Sequence, residues 1–279
     1  MALIVFAMLF AVSIVLARDR GKPVLSFMVS MAAVSKKLIG LVMKFAPLGL
    51  GCYFCMLIGE HGNQLAGPLA RCVIIFIAVS VFYFVVSQTA FAWIAAGGRG
   101  VKAWWKSCIP PTLTALGTCS SAAALPANLA QAKGLGVPEE IADLVITVGL
   151  SLHKDGSCLT QMMKIGFLFG AFGMVLATPE HIAVVIVISL IASIVEGGIP
   201  EGGYVSEVII ASAFGFPSVA LPIMVLIGTI TDSVATAVNA TGDSGLAMIV
   251  ARLVEGKDWF SKALTQKQDE DIESEGAAA

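Results

Sequence analysis

The sequence predicts an all-α polytopic membrane protein, built of transmembrane helices plus two re-entrant helical hairpins arranged as an inverted repeat. Three observations carry that prediction. Hydrophobic residues fill 57% of the 279 positions and charged ones only 13%, and the mean hydropathy is +0.90, far above that of a water-soluble domain. Apolar runs of about 20 residues, each enough to cross roughly 30 Å of hydrocarbon as a helix, recur along the chain, and no alternating ten-residue pattern suggests a barrel. Two later runs are broken by glycine, proline and serine. The net charge of −2 implies neither nucleic acid nor a strongly charged protein partner.

Each element follows in order. Residues 2–17 form an apolar segment whose charges, "RDR", follow the run instead of preceding it, so it reads as a membrane helix that stays and not as a signal peptide. Residues 23–58 and 66–96 come next, divided by "RDRGK" and "GEHGN". From 108 to 132 the pattern changes, because "GTCSSAAALP" leaves two arms of about 11 to 15 residues, ~16 to 22 Å each and too short to span. That is the signature of a re-entrant hairpin. The segment 141–178 carries "HKDGS", a second broken stretch at 182–216 is interrupted by "EGGIPEGGY", and 217–251 carries "TDSVATAVNATGD". The terminal "QDEDIESEG" reads as a solvated acidic tail, and six scattered cysteines, Cys52 and Cys55 among them, as reduced core thiols.

The order of broken hairpin and polar-studded helix occurs twice. Ser120 precedes Asp155 by 35 positions and Pro200 precedes Asp232 by 32, so the halves share a spacing although their sequences barely match. Paired Gly/Pro-interrupted segments in corresponding places point to a transporter site near the bilayer midplane. Lysine and arginine gather in alternate loops and after residue 251, whereas the opposite loops offer only Arg71. This bias predicts a multi-pass protein of the plasma (inner) membrane with a cytoplasmic C-terminus, its first hairpin entering from the cytoplasm and its second from outside.

Asp232, Thr236, Asn239 and Asp243 stand at i, i+4, i+7 and i+11, within about 60° of arc on a helix. Such a stripe either hydrogen-bonds this helix to a neighbour or faces an aqueous cavity or a cation, and two carboxylates on one face favour the second. His153, Lys154 and Asp155 instead fan over about 200° of a regular helix, which predicts that the helix breaks there, with Gly149 and Gly156 permitting an unwound turn. Freed carbonyls and carboxylates at that depth suit a hard cation; the plainer reading is a Lys154–Asp155 pair that neutralises itself. At the tips "GTCSSAAALP" and "GGIPEGG", free amides at helix N-termini suit a substrate carboxylate. A hydrolase triad of Ser120, His153 and Asp232 lacks a GxSxG elbow, and a channel lacks any filter-like repeat.

In this order and spacing, "TCSSAAALPANLAQAKGLGVPEEI", "GLSLHKDGS", "GGIPEGG" and "DSVATAVNATGD" resemble the dicarboxylate/amino acid:cation symporters, the glutamate transporter family. The resemblance covers essentially the whole chain. It implies a trimeric, elevator-type transporter and no enzyme, with residues 1–65 a remnant of scaffold and trimerisation helices, 66–253 a transport domain and 254–279 a cytoplasmic acidic tail. It also implies an N-terminally short chain beginning late in the family's fourth helix. By motif position, Ser120, Ser121 and Ile199 to Gly203 would enclose the substrate, Asp232 would hold its ammonium and Asn239 its carboxylate, with Thr236 and Ser157 beside them. Sodium would be the coupling ion and no other cofactor is implied. Asp243 with Gly149 and Asn239 matches one sodium site, Ser151, Ser193 and Ile194 a second, and Asp155 a third.

Two departures stand out. Acidic-substrate members carry an arginine at one of two positions that are Cys119 and Ala235 here, which predicts a small neutral amino acid, with an acidic amino acid or dicarboxylate as the alternative. His153 and Lys154 replace the usual asparagine and methionine of the family's motif. Lys154 is expected to take a sodium's place beside Asp155, and His153 to make uptake depend on protons.

Overall fold

The computed structural model describes residues 2–45, 48, 51, 52, 55, 56, 59, 63–175, 178–197 and 202–265, and among them the regular structure is helical with no strand. Residue Ile199, most of the second tip and the acidic stretch after residue 265 lie outside the described residues. The chain divides into two compact units, Met1–Gly62 and Asn63–Ala279.

In the first unit, α1 (Ala2–Leu16) ends in a short 3-10 turn, Arg18–Gly21, from which α2 (Lys22–Met43) starts. Gly21 lets the turn fold onto α1, since a Cβ there would strike the Ile14 carbonyl. Pro23 in the first turn of α2 suits a position whose N–H has no helical partner. At 15 residues α1 is about 22 Å long, less than a hydrocarbon core.

The second unit opens with α3 (Asn63–Ser107), which is kinked where Ala96 and Gly97 leave helical geometry, Gly97 with φ of 65°. The first hairpin is α4 (Ile109–Thr118) and α5 (Ser121–Gly134), packed together and joined by Cys119 and Ser120 alone. Next come α6 (Glu139–Leu152) and α7 (Asp155–Ala171), then α8 (Pro179–Gly197) and α9 (Gly202–Phe214), which pack against each other on either side of the second tip. Last is α10 (Ala220–Glu255), 36 residues and about 54 Å long, which touches α3, α4, α5, α6, α7 and α9. Among the described residues three helices are long and apolar enough to cross a membrane, within Gly67–Ser107, Pro179–Gly197 and Ala220–Glu255. The protein is therefore a multi-pass membrane protein, and its exposed Ile74, Phe82 and Trp93 suit a lipid-facing surface.

The kink in α3 shows how such a chain satisfies its backbone. Breaking a helix frees the carbonyls of the preceding turn, which cost several kcal/mol each in hydrocarbon unless donors reach them. Here the Arg252 guanidinium donates to the Ile94 carbonyl, and Trp259 Nε1 donates to the Ala95 carbonyl at 3.0 Å. Trp259 and Phe260 are 3% and 4% exposed and sit in one core with Trp104, Ile146 and Met248. Within the stretch from residue 254 expected as a cytoplasmic acidic tail, residues 259–265 form a helix whose aromatics complete the core. The cysteines also differ from expectation: all six are free, but only Cys108 and Cys158 are buried, whereas Cys52, Cys55 and Cys119 are exposed.

Replacing Trp259 with alanine removes a buried indole and the donor to Ala95, and is expected to cost about 3–5 kcal/mol. Trp259→Phe, which loses the donor but keeps a ring, is expected to cost about 1–3 kcal/mol. Thermal unfolding in detergent checks both: an unchanged Trp259→Phe would show that the hydrogen bond contributes nothing, and equal losses that the buried ring contributes nothing beyond it.

Candidate functional site

The polar stripe of α10 faces inward over most of its length. Thr236, Asn239, Thr241, Asp243 and Ser244 are buried, while Asp232 is exposed. Its lower turns are held by neighbours: Trp104 Nε1 donates to Ser244 Oγ at 2.9 Å, and Thr112 and Thr241 share a hydroxyl contact at 3.3 Å. Thr236 Oγ1 donates to Asp232 Oδ1 at 3.1 Å, which leaves the other carboxylate oxygen unused by that bond.

The first hairpin lies along this helix through small residues, Ala115 and Ala124 against Ala237 and Ala240, with Asn128 Nδ2 donating to the Ala240 carbonyl at 2.9 Å. Small side chains bring the backbones close. At the tip Cys119 is left-handed, with φ of 50° and ψ of 34°, and ends α4; Ser120 is extended and caps α5, its Oγ accepting from Ala123 N at 3.2 Å. Ser233 Oγ donates to the Leu116 carbonyl at 2.6 Å, which sets the tip beside Asp232, and the Cys119 thiol lies next to Asp232 and Ser233. The first amides of α5, including that of Ser121, open a helix N-terminus at the same tip.

The expected helix break is present at His153 and Lys154, but its cause differs. Both residues adopt ordinary negative φ, at −84° and −129°, so no glycine freedom is used. Gly149 and Gly156 are helical and serve close approach instead: a Cβ on Gly149 would strike the Asp243 carboxylate, and one on Gly156 the backbone of Ala235. Across this crossing Ser157 N donates to Asn239 Oδ1 at 3.1 Å and Asn239 Nδ2 donates to Ser157 Oγ at 3.0 Å, a reciprocal pair that joins α7 to α10.

At the break the His153 ring lies between two carboxylates. Nδ1 is 3.0 Å from Asp243 Oδ1, a hydrogen bond, and Nε2 is 3.4 Å from Asp155 Oδ2, an ion-pair distance. Asp155 Oδ1 accepts from the Gly156 amide at 3.0 Å. Carboxylate oxygens only accept, so both ring contacts are favourable when both nitrogens carry hydrogen, the cationic form. Gly242 leaves room for the ring, since a Cβ there would strike His153 Cε1, and Gln88 of α3 lies against the same glycine. This arrangement also dissolves the hydrolase triad, because neither ring nitrogen remains for a serine hydroxyl.

Lys154 takes another direction. Among the described residues it makes no ion pair within 4.0 Å, so Asp155 is paired with His153 and the expected Lys154–Asp155 contact is corrected. The end of Lys154 lies at Gly197, where a Cβ would strike both Lys154 Cε and the Ser151 carbonyl. The carboxylates in its surroundings are those of Glu196, Asp243, Asp232 and Asp155. Ser193 is buried and its hydroxyl donates into its own helix, to the Ser189 carbonyl at 2.5 Å; the Ile194 side chain is 48% exposed. Gly203 lies near Glu196 and Ala235 is buried against α7.

A second polar cluster escaped the sequence reading. Lys164 Nζ donates to Glu207 Oε1 at 3.0 Å with both side chains 3% exposed, and Gln161 Nε2 donates to Glu196 Oε2 at 3.0 Å and to Ser206 Oγ at 2.9 Å. The cluster ties α7 to both arms of the second hairpin, and Gly228 of α10 makes space for the lysine. Ionisable residues inside an apolar segment were the available signal, but Lys164, Glu196 and Glu207 each stand alone in their runs and only packing pairs them. Removing one partner strands a buried charge, so Lys164→Met is expected to destabilise by about 3–5 kcal/mol, and adding Glu207→Leu to recover most of that loss. Melting curves of the single and double variants check this.

The sodium:dicarboxylate symporter family model matches residues 1–253. Among curated relatives, the proton/sodium-glutamate symport protein of Geobacillus stearothermophilus is 27% identical over 250 residues, which is 90% of this chain and 59% of that protein. The protein of the same name from Bacillus subtilis (strain 168) is 27% identical over 90% of this chain and 58% of its own length. Human excitatory amino acid transporter 2 is 26% identical over 91% of this chain and 44% of its own length. The chain thus spans between 44% and 59% of these relatives.

Proposed function

The chain belongs to the sodium:dicarboxylate symporter family, and from the geometry of its site we propose that it carries an amino acid across the membrane coupled to a cation gradient. The observation that supports this most is the meeting of three elements on one face of α10: the first tip beside Asp232, the Ser157–Asn239 pair, and the break at His153. A zwitterion matches that face. Its ammonium finds the exposed Asp232 carboxylate, and its carboxylate finds the second Nδ2 hydrogen of Asn239 and the open amides of α5 around Ser120 and Ser121. Thr236 steadies Asp232 for this contact, and Ile199 to Gly203 would close the site from the second tip.

The substrate class turns on Cys119 and Ala235, where no guanidinium is available to pair with a side-chain carboxylate, and a small neutral amino acid fits best. The acidic alternative is favoured by the relatives named for glutamate. Transport by an elevator motion of a homotrimer belongs to the same proposal.

Counterflow in proteoliposomes tests the reading. Saturable exchange of alanine, serine or threonine is expected, with glutamate and aspartate competing at least tenfold less well; conductance without exchange, or product formation, would refute it. Asp232→Asn is expected to abolish exchange by removing the ammonium's partner, a loss of about 10²-fold or more from an interaction worth about 3 kcal/mol. Cys119→Arg places a guanidinium at an exposed tip position and is expected to shift preference toward glutamate by about tenfold or more, read from competition curves.

A further inference from the structure

We infer that His153 and Lys154 occupy the places that the family resemblance assigns to sodium, so that the chain's amino acid transport needs no sodium. This rests on the symporter reading and deepens it by naming what the coupling cannot use.

The observation is one of occupancy. By resemblance Asp243, with Asn239 and the Gly149 backbone, matches one sodium and Asp155 another, yet the His153 ring already spans the two carboxylates, at 3.0 Å and 3.4 Å. Asp155 spends its remaining oxygen on the Gly156 amide at 3.0 Å. A hard cation is satisfied by several oxygens converging on it, and here two of those oxygens point at ring nitrogens. The ring cannot swing aside freely, since it is seated against Gly242 with Gln88 alongside.

The second arm is Lys154. Its aliphatic end and the Ser151 carbonyl both lie against Gly197, and Ser151 is one of the residues matched to a sodium with Ser193 and Ile194. An ammonium carries the same unit charge as sodium and brings its own three donors to the carbonyls and carboxylates there. These two residues of "HKDGS" therefore fall where the resemblance puts ions, His153 between the Asp243 and Asp155 sites and Lys154 beside that of Ser151.

Two measurements test this. In proteoliposomes, amino acid uptake in sodium chloride is expected to exceed uptake in choline chloride of equal ionic strength by less than about threefold; a larger stimulation overturns the inference. Absence of uptake and exchange in both media would instead defeat the symporter reading, and sodium binding then decides separately. The melting temperature of the purified protein in about 100 mM sodium chloride is expected to match that in choline chloride to within ~2 °C, and a larger sodium-specific rise overturns the inference. The paired change His153→Asn with Lys154→Met is expected to create a sodium-specific rise above that limit. A folded variant that stays indifferent to sodium would show that His153 and Lys154 are not the occupants.

Discussion

Two carboxylates at membrane depth, Asp155 and Asp243, cannot stay charged without a partner, and the imidazole of His153 set between them is the contact around which the second unit is arranged. To bring the ring there the chain leaves helical geometry at His153 and Lys154, which divides one membrane segment into α6 and α7. To bring Asp243 there, α10 must approach α6 and α7 closely, and glycines at 149, 156 and 242 give up their Cβ volume for that approach. The Ser157–Asn239 pair then follows from the same crossing. One electrostatic requirement thus sets a break, three close contacts and the placement of the polar stripe.

The same constraint explains the second hairpin. Lys164 and Glu207 are each too costly to bury alone, so they are found together, and the pairing holds α9 against α7. Gln161 shares its amide between Glu196 and Ser206, one on each arm. Charge satisfaction therefore joins both arms that flank the second tip to α7. In the first hairpin the means are different, since alanines against alanines allow backbone contact with α10 and only a few hydroxyl and amide bonds are added.

The first hairpin's arms, the break and the inward stripe each leave a local trace in the sequence: arms too short to span, charges that no helix face can hold together, and polar residues at helical spacing. In the second hairpin α8, at 19 residues, is instead long enough to span. The sequence misleads where the outcome depends on partners. Adjacent Lys154 and Asp155 looked like a pair, yet the ring of His153 claims Asp155 because α10 delivers Asp243 to its other side. The glycines beside the break looked like hinges and are contact surfaces. Trp259 and Phe260 fall in the stretch expected as a cytoplasmic tail, and the kink at Ala96–Gly97 draws them into the core.

By itself, then, the sequence determined that this is a helical membrane protein with interrupted segments and an inward polar face on its last long helix. Periodicity and the cost of polar groups in hydrocarbon act residue by residue, so they can be read along the chain. Only the tertiary structure decided which charge neutralises which. Lys164 with Glu207, and His153 with Asp155 and Asp243, are contacts between helices that are apart in sequence or divided by a break. Such contacts are set by crossing geometry and by the absence of a Cβ at a few glycines, neither of which has a local signature.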